Sequence, residues 1–399
     1  MNALAVLLPL LLLALPGARP DDVRIGLFSL FKPEVVEVRV ASGDGANLTA
    51  SGPDGHALIR RGESIAIRLS GGRLHIALNA GQQLLIATET RIIPSGAAVL
   101  ELNLPGKIKR AVRGELLIDT GSGGRGPLRI VLTTDREAAV SSVVAAETSQ
   151  RKTEALKALA VVVRTFMFAH PGRHSSEGYD FCDTTHCQFY RGEQALSDLG
   201  ASTEIEEAVE ATKGEVLGFK GRTVEGYYTA TCGGMTVTPS MLWGGSTSYP
   251  YRRISCRWCK GSRFDKWERS AGIAKILGAL SEFLGSRVSL SADLATDRDP
   301  ASGFVRSITI ADGTARTKLT ADAFRRAVGL KLGWNTVLSP TFAIERHGPR
   351  FIFRGHGFGS QIGLCEAGAL AQAIAGRSYR DILAFYYPGA AISEPTAHE

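Results

Sequence analysis

Apolar and polar positions alternate from Val23 to Ile118. The runs VRIGLFSL, VVEVRVAS, SIAIRLSG, RLHIALN, QLLIATETRII, AVLELNL and RGELLI are rich in β-branched residues, with Gly, Asn, Asp and Pro between them. A period of two sends successive side chains to opposite faces of a strand, so this stretch predicts the short strands of a β-sandwich or barrel-like module. Gly114–Leu132 reads as a hairpin with a glycine-rich tip. Its GSGGRG lacks the Lys and Ser/Thr of a phosphate-binding loop and runs into a strand, which leaves a flexible turn. The period then changes. Ala139–Thr148 as a helix lines up Val140, Val143, Val144 and Glu147 at i, i+3, i+4 and i+7. A second helix follows, with Thr153 as N-cap and Glu154 in its first turn, and its apolar body EALKALAVVVRTFMFAH carries Arg164 near the middle. Lys266–Leu284 and Thr320–Val328 read as amphipathic packing helices. The sum is an α+β chain: a β-rich N-terminal module over 20–118, a mixed domain over 119–392, and a small polar tail over 393–399.

With 399 residues, 44% of them apolar and 21% charged, the chain has material for two or three domains with real cores. Its first residues hold a thirteen-residue apolar run, Ala3–Leu15, interrupted by Pro9. That is short for a bilayer span and fits the apolar region of an export signal over 1–19, or an uncleaved anchor, and no later segment predicts a transmembrane helix. The expected location is therefore outside the cytoplasm. A diffuse net charge of +7 suits anionic wall polymers or membrane surfaces. Without a basic stripe or a recognition motif, nucleic-acid binding has no support.

Glu147 on an aliphatic helix face and Arg164 in an apolar helix are the first candidates for chemistry. A buried Arg needs an anion, and the two are expected to be neighbours in a pocket. The plain alternatives are a solvent-facing Glu and a snorkelling Arg. Cys182, His186 and Cys187, with His174 upstream, offer a zinc donor set, and a Cys182–Cys187 disulfide is the rival in an oxidising setting. Cys256-Arg-Trp-Cys259 has thioredoxin-type spacing without its context, so a structural bridge from Cys232 to Cys256 or Cys259 is expected ahead of redox chemistry, with Cys365 a buried small residue. In Thr231–Thr236, Gly233 and Gly234 would let a glycan approach the backbone, while the hydroxyls of Thr231 and Thr236 bond sugar hydroxyls. His56 and His75 stand alone.

Several motifs in order resemble the SpoIID/LytB family of bacterial cell-wall proteins. They are SSVVAAE, EALKALAVVVRTF, CDTTHCQFYRG, AVEATKGEVLGFKGRTVEGYYTATCGGMT, a Trp-Gly-Gly, GHGFGSQIGLCEAGALAQA and SYRDILAFYYPG, together spanning about residues 130–390. The resemblance implies a lytic transglycosylase that cuts MurNAc–GlcNAc bonds in peptide-free glycan strands and leaves 1,6-anhydroMurNAc ends. Glu147 falls on the family's acid glutamate, and Lys157 and Arg164 fall on the helix cations of the same cleft. The resemblance also extends substrate contact to His356, Ser360 and Gln361, and relatives that bind zinc near the cleft support that reading of the Cys/His cluster. The chain departs from the family at Thr229 and Ser360, where a His is usual, at Thr148-Ser149 for Met-Pro, and at Leu159 for a common Gln. LytB-type relatives imply a second reading, a wall-binding enhancer that partners an N-acetylmuramoyl-L-alanine amidase.

Overall fold

The computed structural model describes residues 21–51, 55–78, 83–121, 124, 126–148, 151–199 and 202–395. The leader or anchor expected over 1–19, the glycine-rich tip at 122, 123 and 125, and the last four tail residues lie outside them. The protein is α+β and divides into two units.

The first unit comprises the described residues up to Arg136 plus a return segment, Ser176–Phe181. Its strands are β1 (Asp22–Leu27), β2 (Val35–Ser42), β3 (Gly45–Ala50), β4 (His56–Arg60), β5 (Ser64–Ser70), β6 (Arg73–Leu78), β7 (Gln83–Ala87), β8 (Glu89–Pro94), β9 (Val99–Leu104), β10 (Ile108–Val112), β11 (Glu115–Asp119) and β12 (Arg129–Asp135). They form two sheets, one ordered β1-β12-β11-β8-β3-β4 and the other β10-β9-β2-β5-β6-β7, so the expected sandwich is found in place of one closed barrel. Alternation explains the burial. Val36, Val38 and Val40 of β2 and Leu100, Leu102 and Leu104 of β9 point inward, and the residues between them are more exposed. Each such side chain contributes about 1.5–3 kcal/mol on burial. β12, assigned to the second domain on sequence grounds, pairs along its length with β1 and β11 of this unit. The return segment is held within the unit by Asp180, which pairs with Arg24 at 2.9 Å, and by the Glu177 carbonyl, which accepts from Arg129.

The second unit holds α1 (Arg136–Glu147, from Glu137 onward) and α2 (Thr153–Ala169). The helix expected to start at Ala139 begins three residues earlier. Thr153 is the first helical residue of α2, and Lys152 is the N-cap without a side-chain bond. Ala155 to Met167 of α2 are buried apart from Lys157, in keeping with the all-round apolar sequence. Lys266–Leu284 is not one helix: Trp267–Gly272 is a strand paired with Arg350–Gly355, and the helix runs from Ile273 to Leu284. Thr320 caps the helix Ala321–Leu332 by accepting the Ala323 N–H at 3.1 Å. These two helices pack on strands around a core that includes Phe324, Phe342, Phe351 and Phe353. A short parallel pair, Tyr228–Thr229 with Leu364–Cys365, brings two distant stretches of chain to the same place. Among the described residues no helix is long and apolar enough to cross a membrane.

Candidate active site

Glu147 is the last residue of α1. Its carboxylate accepts the Tyr228 hydroxyl at 3.1 Å and the backbone amide of Phe189. Burial raises its pKa above the ordinary carboxylate value, and these two hydrogen bonds pull the other way. Tyr228 is half-buried; loss of hydration, together with the Glu147 and Glu366 charges, holds its phenol well above the usual range, and it stays a donor. Glu366 opens the helix Glu366–Ile374 directly after the parallel pair. Its pKa also lies well above normal, by burial first and by the Glu147 charge second. The two carboxyls thus sit in one electrostatic field, which favours keeping a proton there. Beside them is an apolar notch of about 10 Å³ lined by Thr148, Leu156, Leu159, Leu364 and Glu366. Leu159 forms part of its wall where the resembled family commonly has Gln.

The expected cations are paired with other carboxylates. Arg164 is 0% exposed and does not pair with Glu147. Its Nε bonds both oxygens of Glu137 at 2.8 and 3.1 Å, Nη1 reaches the Glu215 carbonyl at 3.0 Å, and Nη2 reaches Glu137 and the Val209 carbonyl. Glu137 lies in the first turn of α1, at the other end of the helix from Glu147. Lys157 pairs with Glu154 at 3.0 Å and lies 5.7 Å from the Tyr379 ring centroid.

The proposed glycan contacts are also largely engaged within the fold. Gln361 is buried with φ +64°. Its Nε2 donates to the Cys232 and His356 carbonyls and its Oε1 accepts from Thr341, so the amide clasps loops and is not presented to a ligand. Thr236 is buried, and its hydroxyl accepts the Ile254 N–H at 2.7 Å. Thr231 is buried and exchanges backbone bonds with Phe358. A Cβ at Gly233 would lie 2.7 Å from the Gly357 nitrogen, so this glycine serves packing; Gly234, at φ +101°, has open space where its side chain would be. His356 is half-buried with Nδ1 2.9 Å from the Asp265 carbonyl, and Ser360 Oγ accepts the Ile362 N–H. Thr229, where the resembled family has His, bonds the Phe358 carbonyl and the Gln361 amide.

His174, Cys182, His186 and Cys187 converge, with all four donor atoms within 4.8 Å of one another. Cys187 Sγ lies 3.4 Å from His174 Nε2 and 3.7 Å from His186 Nδ1, and Cys182 Sγ lies 3.7 Å from His186 Nδ1. A zinc tetrahedron with bonds of about 2.3 Å to sulfur and 2.0 Å to nitrogen has sulfur–nitrogen edges of about 3.5 Å, so the donors fit zinc. His186 and Cys187, though adjacent in the chain, both place a donor atom in the cluster. All six cysteines are unbridged, so neither the Cys182–Cys187 disulfide nor the bridge from Cys232 forms here. Cys365 is not isolated either; it meets Cys232, Cys256 and Cys259.

The family model described as "SpoIID: Stage II sporulation protein" matches residues 125–219, the stretch that carries α1, α2 and the Cys/His cluster. Stage II sporulation protein D of Bacillus subtilis is 28% identical over 270 residues, covering 65% of this chain and 74% of that protein. These matches support a likeness to the SpoIID/LytB family. Another relative, an uncharacterized protein of Brachyspira hyodysenteriae, is 28% identical over 237 residues, 59% of this chain and 60% of its own length. The amidase enhancer of B. subtilis is 25% identical over 285 residues, and the match spans 38% of its length and 60% of this chain. The names of these relatives support a cell-wall related role. Tyr228 and Glu366, which act on Glu147 here, were missed in the sequence. Glu366 carries the signal that marked Glu147, a lone carboxylate on an otherwise apolar helix.

Proposed function

We propose that this protein is a lytic transglycosylase that cleaves MurNAc–GlcNAc bonds in peptide-free glycan strands, outside the cytoplasm. The observation that carries the reading is Glu147, a carboxyl whose pKa burial raises while Tyr228 and Phe189 fix its orientation. An acid of this kind is protonated at a pH where an exposed glutamate is ionised. Glu147 donates its proton to the glycosidic oxygen, and the bond from that oxygen to the muramyl anomeric carbon breaks. The muramyl C6 hydroxyl then attacks the anomeric carbon and gives its proton to the Glu147 carboxylate, which closes the 1,6-anhydro ring and restores the acid. No second carboxylate is needed to activate water, in contrast to hydrolytic glycosidases.

His174, Cys182, His186 and Cys187 would hold a zinc ion, whose contribution is to brace the turn two residues before Phe189. Arg164 and Lys157 then act as positioning residues, fixing α1 against α2 and the start of α2. The test is direct. Pure protein incubated with denuded glycan strands is expected to release fragments ending in 1,6-anhydroMurNAc, identified by mass; reducing ends only, or no cleavage, would reject the reading.

Loss of Tyr228's hydrogen bond supplies a pH test. Tyr228→Phe removes a donor that favours the Glu147 carboxylate, so the pKa of Glu147 rises further and the loss of activity on the alkaline side moves to higher pH. An alkaline limb that stays put or moves down contradicts the assignment of Glu147 as the acid.

A second reading is favoured by the inward-turned side chains of Thr236 and Gln361 and by the relative named amidase enhancer. In it the protein binds wall glycan and stimulates an amidase partner without cutting. Absence of anhydro products together with stimulation of a purified N-acetylmuramoyl-L-alanine amidase would select it.

A further inference from the structure

Cys232, Cys256, Cys259 and Cys365 come from three separate stretches of the second unit. Cys232 precedes the Gly233-Gly234 turn, Cys256 is the N-cap and Cys259 the last residue of the single 3-10 turn Arg257–Cys259, and Cys365 is the N-cap of the helix Glu366–Ile374. All four are 0% exposed. Their sulfurs lie within 4.8 Å of one another, with Cys232 and Cys259 at 3.5 Å, and none is bridged. Four thiols gathered in one buried place gain little from one another as thiols, since S–H is a weak donor and sulfur a weak acceptor.

We propose that these four cysteines hold one zinc ion as a tetrahedral four-thiolate site, distinct from the Cys/His cluster. Sulfur–zinc bonds of about 2.3 Å give tetrahedral sulfur–sulfur edges of about 3.8 Å, and the observed spread brackets that value. A multi-iron cluster places its thiolates on different metal atoms and holds them farther apart, so a single ion fits best. A tetrahedral four-sulfur set selects zinc among common divalent ions. The surroundings suit thiolates. Backbone N–H groups of Cys232 and Gly368 point at Cys365 Sγ at 3.3 and 3.4 Å, and the Tyr386 hydroxyl lies 3.2 Å from Cys256 Sγ. Such donors disperse the excess negative charge of four thiolates on a divalent ion. Cys365 also sits at the positive end of its helix. A Cβ on Gly368 would come within 2.9 Å of Cys256 Sγ and collide with Tyr386, so the wall around the sulfurs is closed. Binding releases the thiol protons to solvent and involves no oxidation. The ion would join the Gly-Gly turn and the Cys256–Cys259 turn to the residue immediately before Glu366.

The full chain, purified without chelators, tests this by metal counting and zinc K-edge absorption. Two zinc ions per chain with an average of three sulfurs to one nitrogen are expected when both clusters are filled, and one zinc with four sulfurs also supports the site. One zinc with two sulfurs and two nitrogens overturns it, as does metal-free protein or a mass deficit of two hydrogens per bridge among these four cysteines. Iron in their place overturns the choice of ion. Cys182→Ser/Cys187→Ser isolates the second site; that variant is expected to keep one zinc and to shield its four remaining thiols from a thiol reagent until the metal is stripped. None of these readouts depends on glycan cleavage, so the site stands or falls apart from the proposed activity.

Discussion

Glu147→Gln is expected to lower the formation of 1,6-anhydroMurNAc ends by a hundredfold or more, on the order of 10²–10⁴, the usual contribution of a positioned general acid. Gln has nearly the same shape and its amide oxygen can accept the Tyr228 hydroxyl in place of the carboxylate, so the end of α1 should hold. It also removes an ionisable group from a poorly hydrated place, which spares the folded state a desolvation cost wherever the pH would charge Glu147. The melting temperature is therefore expected to stay equal or to rise. Both quantities must be measured, because loss of activity with loss of fold would say nothing about proton transfer. Anhydro products at the wild-type rate from a well-folded Gln variant would remove Glu147 from the chemistry.

Arg164→Met is expected to act on stability. The substitution keeps much of the apolar length but takes guanidinium donors away from the Glu137 carboxylate and from the carbonyls of Val209 and Glu215. Breaking a buried ion pair by removing one partner costs about 3–5 kcal/mol. For a unit of this size that is a fall in melting temperature of roughly 10 °C, read by calorimetry. The folded fraction of the variant should still cleave glycan below its transition. A variant that melts like the parent yet has lost activity would put Arg164 back in the cleft, against its full burial. The distinction matters because its position in the chain alone makes it look like a partner for the acid.

The sequence pattern was most informative where contacts are local. Alternating residues in Val36–Val40 and Leu100–Leu104 foretold strands, and the 3.6-residue spacing of Val140, Val143, Val144 and Glu147 foretold α1 with its carboxylate on the apolar side. Where partners are far apart in the chain, local pattern was misleading. WERSAG at 267–272 has no strand alternation; it is a strand because Arg350–Gly355 pairs with it. Tyr228 and Glu366 meet Glu147 only because Tyr228–Thr229 and Leu364–Cys365 run side by side, a pairing without a turn signal. Arg164 takes Glu137, the other carboxylate of α1, ten residues before Glu147, and nothing in the local pattern of either helix chooses between the two. The inward use of Gln361 could not be read from its neighbours, since an amide looks the same in sequence whether it clasps carbonyls or faces a ligand.

The excursion of Ser176–Phe181 has a bearing on how such proteins can be rearranged. The N-terminal sandwich is not encoded by one uninterrupted piece of the gene: its Arg24 pairs with Asp180 and its Arg129 donates to the Glu177 carbonyl, and both partners lie beyond α1 and α2. Exchanging the first 136 residues for those of a cousin would mate each arginine with a foreign six-residue strap. Inheritance is therefore expected to keep the two stretches together, and chimaeras should be spliced so that the strap travels with its sandwich.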